Sequence, residues 1–149
     1  MKKEFFKLEE CEPVIRKVLG EGGTFPFYPR GTSMKPFILA ERDMVVLSPL
    51  PDRLKKYQII LYKRDNGAFV LHRIIRVNGS CCTMRGDNQF LSEPGIRRDQ
   101  MIGIVTAISR NGRTVNPNDA RRRITAAFWV WTALPRRIWR HFFPCHDRN

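Results

Sequence analysis

Three residues of this chain have side chains whose types and order could support nucleophilic catalysis. Ser33 lies in the stretch Pro29-Arg30-Gly31-Thr32-Ser33-Met34-Lys35-Pro36. A loop flanked by glycine and proline can hold a hydroxyl in a fixed, exposed pose near backbone N–H groups. His72 is the only imidazole in the first 140 residues, so if a base is needed there near neutral pH, His72 is the only imidazole able to serve. Asp87, in Gly86-Asp87-Asn88, could face the ring nitrogen of His72 that does not meet the serine. Each residue also has a plain alternative. Ser33 can be an ordinary loop serine, His72 a packed core residue sharing a face with Val70 and Ile74, and Asp87 part of a turn.

These side chains need a scaffold, and the chain offers three zones. Residues 3–19 read as a helix with apolar positions at Phe5, Leu8, Ile15, Val18 and Leu19. The helix is continuous or is broken into two pieces at Pro13, and Gly20-Glu21-Gly22-Gly23 stops it. Short apolar runs follow at 44–47, 59–63, 68–77, 81–84 and 102–109. Asp65-Asn66-Gly67, Asn78-Gly79 and Asn111-Gly112 supply turns between or after them. Such runs predict a small, coiled, mainly antiparallel sheet. Residues 118–143 read as a helix capped by Asn118 or Asp119. Ile124, Phe128, Trp131, Leu134, Ile138 and Phe142 recur at helical spacing, and Pro135 makes a kink or break. The expected class is therefore mainly β, α+β overall. The chain divides into an N-terminal helical segment (1–23), a β domain (24–117) and a basic amphipathic helix and tail (118–149).

Composition narrows the function classes. Hydrophobic residues make up 42% of the chain, which excludes a wholly disordered protein. No apolar run is long enough for a membrane span, and residues 1–13 lack an apolar signal-peptide region. The expected location is cytoplasmic, or peripheral at the cytoplasmic membrane. The formal net charge is +13, and residues 110–149 hold nine arginines against two acids. So concentrated a basic excess points to a polyanionic surface as partner. Two readings of the C-terminal helix stand side by side. Its apolar stripe can pack on the sheet, or its Trp and Arg residues can meet anionic lipid. No helix-turn-helix, zinc-finger or RNA-recognition signature occurs, so no specific nucleic-acid partner is expected. Cys11, Cys81, Cys82 and Cys145 form no metal or disulfide pattern. His141, Cys145, His146 and Asp147 read as a polar tail, and Asn78-Gly79-Ser80 as a turn rather than a glycosylation site. No metal or organic cofactor is expected.

Taken together, the candidate segments resemble a known family. Gly31-Thr32-Ser33-Met34-Lys35-Pro36 resembles the Ser-Met-x-Pro box of type I signal peptidases and of the related LexA-type self-cleaving repressors. Leu71-His72-Arg73-Ile74 resembles the His-Arg box of the endoplasmic-reticulum and archaeal signal peptidases, where the bacterial type has a lysine. Gly86-Asp87-Asn88 and Ile102-Gly103-Ile104-Val105 resemble the family's Gly-Asp-Asn box and closing strand, and the boxes stand in family order. The resemblance covers about residues 24–109. It implies a serine endopeptidase that cleaves a peptide or leader sequence. Ser33 would be the nucleophile, His72 the general base and Asp87 the orienting acid, with Glu93 as second choice and Asp99 also available. The Ser33 N–H would serve as an oxyanion donor. The chain departs from the family by lacking a transmembrane segment before the nucleophile and by having Gly31 two places ahead of it. The competing expectations are a basic binding module and an inactive or self-processing relative of the same fold.

Overall fold

The computed structural model describes residues 7–133 and 135–137. Helix α1 (Leu8–Gly20) carries Glu9 and Glu10 in its first turn and Lys17 in its last, the polarity that suits a helix dipole. It runs unbroken through Pro13, so of the two alternatives the continuous helix is the one observed. Pro13 lies close to the helix start, where one lost backbone bond is outweighed by burial of Ile15 and Leu19 in the core. The expected residues 3–6 of this helix lie outside the described residues. Gly22 ends it with φ +80°, a left-handed conformation open to glycine without strain.

Eight strands follow: β1 (Phe25–Phe27), β2 (Met44–Ser48), β3 (Ile59–Lys63), β4 (Phe69–Asn78), β5 (Cys81–Arg85), β6 (Glu93–Arg97), β7 (Met101–Arg110) and β8 (Arg113–Val115). They form one antiparallel sheet in the order β1-β2-β7-β3-β4-β5-β6, with β8 also paired to β7. The chain is thus mainly β with a few helices. The five strands expected from apolar runs are present, each within about a residue of its expected ends. Strands β1, β6 and β8 were not expected. Two have only three residues, and β6 contains Pro94 and Gly95, which argue against a strand in sequence alone.

The central strand β3 is buried on both faces. Ile59 and Leu61 join a core formed with α1, Met34 and Ile38, while Ile60 and Tyr62 join a second core with Ile74, Cys82, Met84 and Ile104. The period-two alternation of a strand accounts for this division. It holds equally on β4, where His72 and Arg73 are neighbours and both are buried.

The last described helix, α2 (Ala120–Trp131), starts after Asp119, whose side chain makes no capping bond. It is interrupted at Thr132, just ahead of Pro135, where a kink or break was expected, and residues 133 and 135–137 are again helical; residues 134 and 138–143 lie outside the described residues. Its stripe does not pack on the sheet. Ile124 and Phe128 are each 70% exposed and Trp131 85%, while Ala126 and the half-buried Trp129 face inward.

One buried carboxylate closes the segment between β1 and β2. Asp43 accepts hydrogen bonds from Arg110 Nη2, Arg110 Nε at 3.0 Å, Arg42 Nε at 2.8 Å and the Leu39 N–H at 2.8 Å. The register that pairs Met44 with Ser109 brings Asp43 beside Arg110, and Arg110 also donates to the Phe37 carbonyl. Burial alone would raise the Asp43 carboxyl. The Arg110, Arg42 and Leu39 donors outweigh it and hold the group well below the usual carboxylate range. Its stabilisation is therefore present above the ordinary aspartate pKa and is lost as pH falls through the depressed value. Asp43→Asn should lower the unfolding free energy by about 2 kcal/mol, measured by urea denaturation at neutral pH, because hydrogen bonds to an ion are lost.

Candidate active site

The segment of residues 31–36 and the Gly86-Asp87-Asn88 turn are packed directly on each other. The Asn88 N–H donates to the Ser33 carbonyl at 2.8 Å, and Asn88 Nδ2 to the Thr32 carbonyl at 3.3 Å. At Gly86 a Cβ would lie 2.6 Å from the Ser33 carbonyl oxygen and 3.0 Å from Ser33 Cβ. Glycine is required there for close approach, not for an unusual φ. The half-buried Ser33 then lines a cavity of about 230 Å³ whose wall also includes His72, Met34, Ile38, Arg64 and Gln89. The two principal candidates thus share one cavity, although no direct hydrogen bond joins them. Catalytic hydrogen bonds of ligand-free enzymes are often long and tighten only around substrate.

Asp87 does not meet His72. Its carboxylate takes a two-pronged hydrogen bond from Arg73, Nε to Oδ1 and Nη2 to Oδ2, each 2.7 Å. The pair is almost sealed from solvent, at 2% and 1% side-chain exposure. The reason is strand alternation. His72 and Arg73 are adjacent on β4 and so project to opposite faces, and the turn bearing Asp87 closes over the Arg73 side. Arg73 also donates to the Tyr57 carbonyl at 2.8 Å and packs over the Phe37 ring. Asp87 therefore fixes the turn on which Ser33 rests. The expected contact with the imidazole is made by a different group.

That group is Tyr62, which the sequence reading did not single out. Its hydroxyl is 3.2 Å from His72 Nδ1 and donates to Glu93 Oε2 at 2.7 Å. Glu93 is gripped by Arg64, Nε to Oε1 at 2.8 Å and Nη2 to Oε2 at 2.7 Å. These hydrogen bonds to Arg64, more than any other influence, hold Glu93 below the usual carboxylate range. Burial, reinforced by Glu93, raises the Tyr62 phenol, so it keeps its proton. That single proton is committed to Glu93. The phenol oxygen can then only accept from His72, which puts a proton on Nδ1 and leaves Nε2 with its lone pair. Burial and then the Arg64 charge push the imidazole down to about 4, so His72 is neutral at physiological pH.

Glu93, the second-choice acid, thus reaches His72 through Tyr62. Asp99 is exposed and pairs with Arg97 at 3.2 Å. One sequence signal did mark Tyr62: a tyrosine inside an otherwise apolar strand needs a partner for its hydroxyl. Glu93 was harder to locate because it opens the unexpected strand β6. Among the described residues no three His, Cys, Asp or Glu side chains cluster as metal ligands. Cys11, Cys81 and Cys82 are free thiols. The group His141, Cys145, His146 and Asp147 lies outside the described residues. No described helix is long and apolar enough to cross a membrane.

Two outcomes follow from this geometry. Nitrogen-15 NMR should find His72 as the Nδ1–H tautomer, titrating near 4, and Tyr62→Phe should erase the tautomer preference while keeping the ring packing. Gly86→Ala should cost about 1–3 kcal/mol in chemical denaturation, because its Cβ would overlap the Ser33 backbone. Scans against models of protein families, curated proteins and solved structures return no match to this chain.

Proposed function

We propose that this chain is a serine endopeptidase of the signal-peptidase type, built on a small coiled sheet like that of the LexA-type repressors. One observation carries the reading: Ser33 and a neutral His72 line the same cavity, with the Nδ1 side of the imidazole engaged by Tyr62. The ordered sequence boxes supply the rest of the argument.

The chemistry then runs through this chain's own residues. A serine hydroxyl is a weak nucleophile at neutral pH and needs a base. His72 Nε2 takes the Ser33 proton as Oγ attacks the carbonyl carbon of the scissile peptide bond. The Ser33 N–H, which has no acceptor among the described residues, faces the developing oxyanion as a donor. As the tetrahedral intermediate collapses, His72 returns the proton to the leaving amine and the acyl group stays on Ser33. Water, deprotonated by the same imidazole, releases the acid and restores the hydroxyl. The imidazolium that forms transiently is held by Tyr62, with ionised Glu93 behind it. Asp87 acts at one remove, as a positioning residue for the Ser33 loop.

Against a panel of peptides, Ser33→Ala and His72→Ala should each lower kcat/KM by about a thousandfold or more. A fluorophosphonate should add its mass to the peptide containing Ser33, and His72→Ala should suppress that labelling. Undiminished turnover in either variant rejects the assignment. The acid limb of kcat/KM should stay level through pH 6.5, where an ordinary imidazole would already be half protonated, and fall only around a midpoint of about 4, since the base works only when unprotonated. The unfolded imidazole takes up its proton at higher pH than the folded one. His72 therefore also withdraws stability as pH drops from 6.5 towards 4, and the profile is taken with circular dichroism at each pH.

A further inference from the structure

We propose that the outer face of α2 docks on an anionic lipid bilayer. A helix on the surface of a water-soluble domain normally turns its apolar stripe to the core. Helix α2 does the reverse. Ile124, Phe128 and Trp131, at positions i, i+4 and i+7, form a single stripe directed to solvent. The inward side holds the helix to the sheet. Trp129 Nε1 donates to the Asp87 carbonyl at 2.7 Å, its ring meets Phe37 edge-on at 5.9 Å, and Arg85 Nη2 donates to the Val130 carbonyl at 3.0 Å.

The charge around the stripe selects its occupant. Residues 120–137 contain five arginines and no acid. Arg121 and Arg122 are exposed in the first turn, Arg121 beside the stripe and Arg122 on the Trp129 side of the helix, and Arg137 is exposed beyond the last. A second copy of this face would set arginine against arginine. A nucleic acid would meet the arginines but leave Ile124 and Phe128 in water. A bilayer with anionic headgroups satisfies both. The apolar stripe enters the acyl boundary, Trp131 sits at headgroup depth, and the guanidiniums meet the phosphates. The proposal is independent of the peptidase reading, because binding is measured with or without the Ser33 hydroxyl.

The test is co-sedimentation of the full chain, wild type and Ser33→Ala alike, with vesicles of phosphatidylcholine alone or mixed with phosphatidylglycerol. Both proteins should sediment with the mixed vesicles, release in high salt and stay in solution with phosphatidylcholine alone. Tryptophan emission of the wild type should shift to the blue on binding. The triple change I124S/F128S/W131S, all at exposed positions, and the double change R121Q/R122Q should each weaken partitioning by about tenfold or more. Thermal melts and circular dichroism should match the wild type. Unchanged partitioning of both variants overturns the proposal. So does binding to duplex DNA in place of vesicles, or a concentration-dependent dimer that the triple change abolishes without any lipid binding.

Discussion

The buried ion pair between Arg73 and Asp87 is the constraint on which the arrangement around Ser33 depends. It ties β4, one of the longest strands, to the turn after β5, and that turn in turn holds the Ser33 backbone through Asn88 and the close approach at Gly86. Taking both ions out of water is costly, and the cost is offset only by good geometry. Here the fork-to-fork alignment provides that geometry, and further donors and rings complete it: Arg73 reaches the Tyr57 carbonyl and the Phe37 face. Removing either partner would strand a charge beneath the loop that carries the hydroxyl. The same turn anchors α2 through Trp129, so helix, turn and loop share one fixed point.

Strand alternation assigns the two neighbours on β4 to separate tasks. Arg73 holds the Gly86–Asn88 turn and through it the Ser33 backbone. His72 faces the second core and meets Tyr62, which decides where its proton resides. A one-residue slip of β4 would exchange the two sides and undo both. The antiparallel pairing of Ile60 with His72 guards against it, since Ile60 and Tyr62 belong to the same buried cluster as Ile74.

Much of this was legible in the sequence, for identifiable reasons. The long strands declared themselves because apolar runs between Asn-Gly and similar turns have few other uses, and the backbone at Asn111 and Gly112 does take the positive φ such a hairpin needs. Ser33 and His72 could be singled out by loop chemistry and by scarcity. The role of Asp87 could not, because a strand hides from its linear sequence which neighbour a distant carboxylate will choose. Glu93 was obscured by the Pro94-Gly95 pair inside β6, and the partners of Tyr62 by their distance from it along the chain, on β4 and β6. The stripe on α2 was visible by period, but period alone does not say whether a stripe turns inward or outward.

The position of β6 has its own consequence. It is the terminal strand on one side of the sheet, next to β5, and of its residues only Ile96 is fully buried. Elements with few buried contacts open locally at a small fraction of the global unfolding cost. Glu93 travels with such an element, while His72 and Tyr62 belong to the interior. Fraying of that margin would release the carboxylate and free the phenolic proton to rotate, letting the imidazole change tautomer while the cavity wall stays intact. Whatever pairs with or covers that margin would thus govern which nitrogen of the imidazole carries the proton.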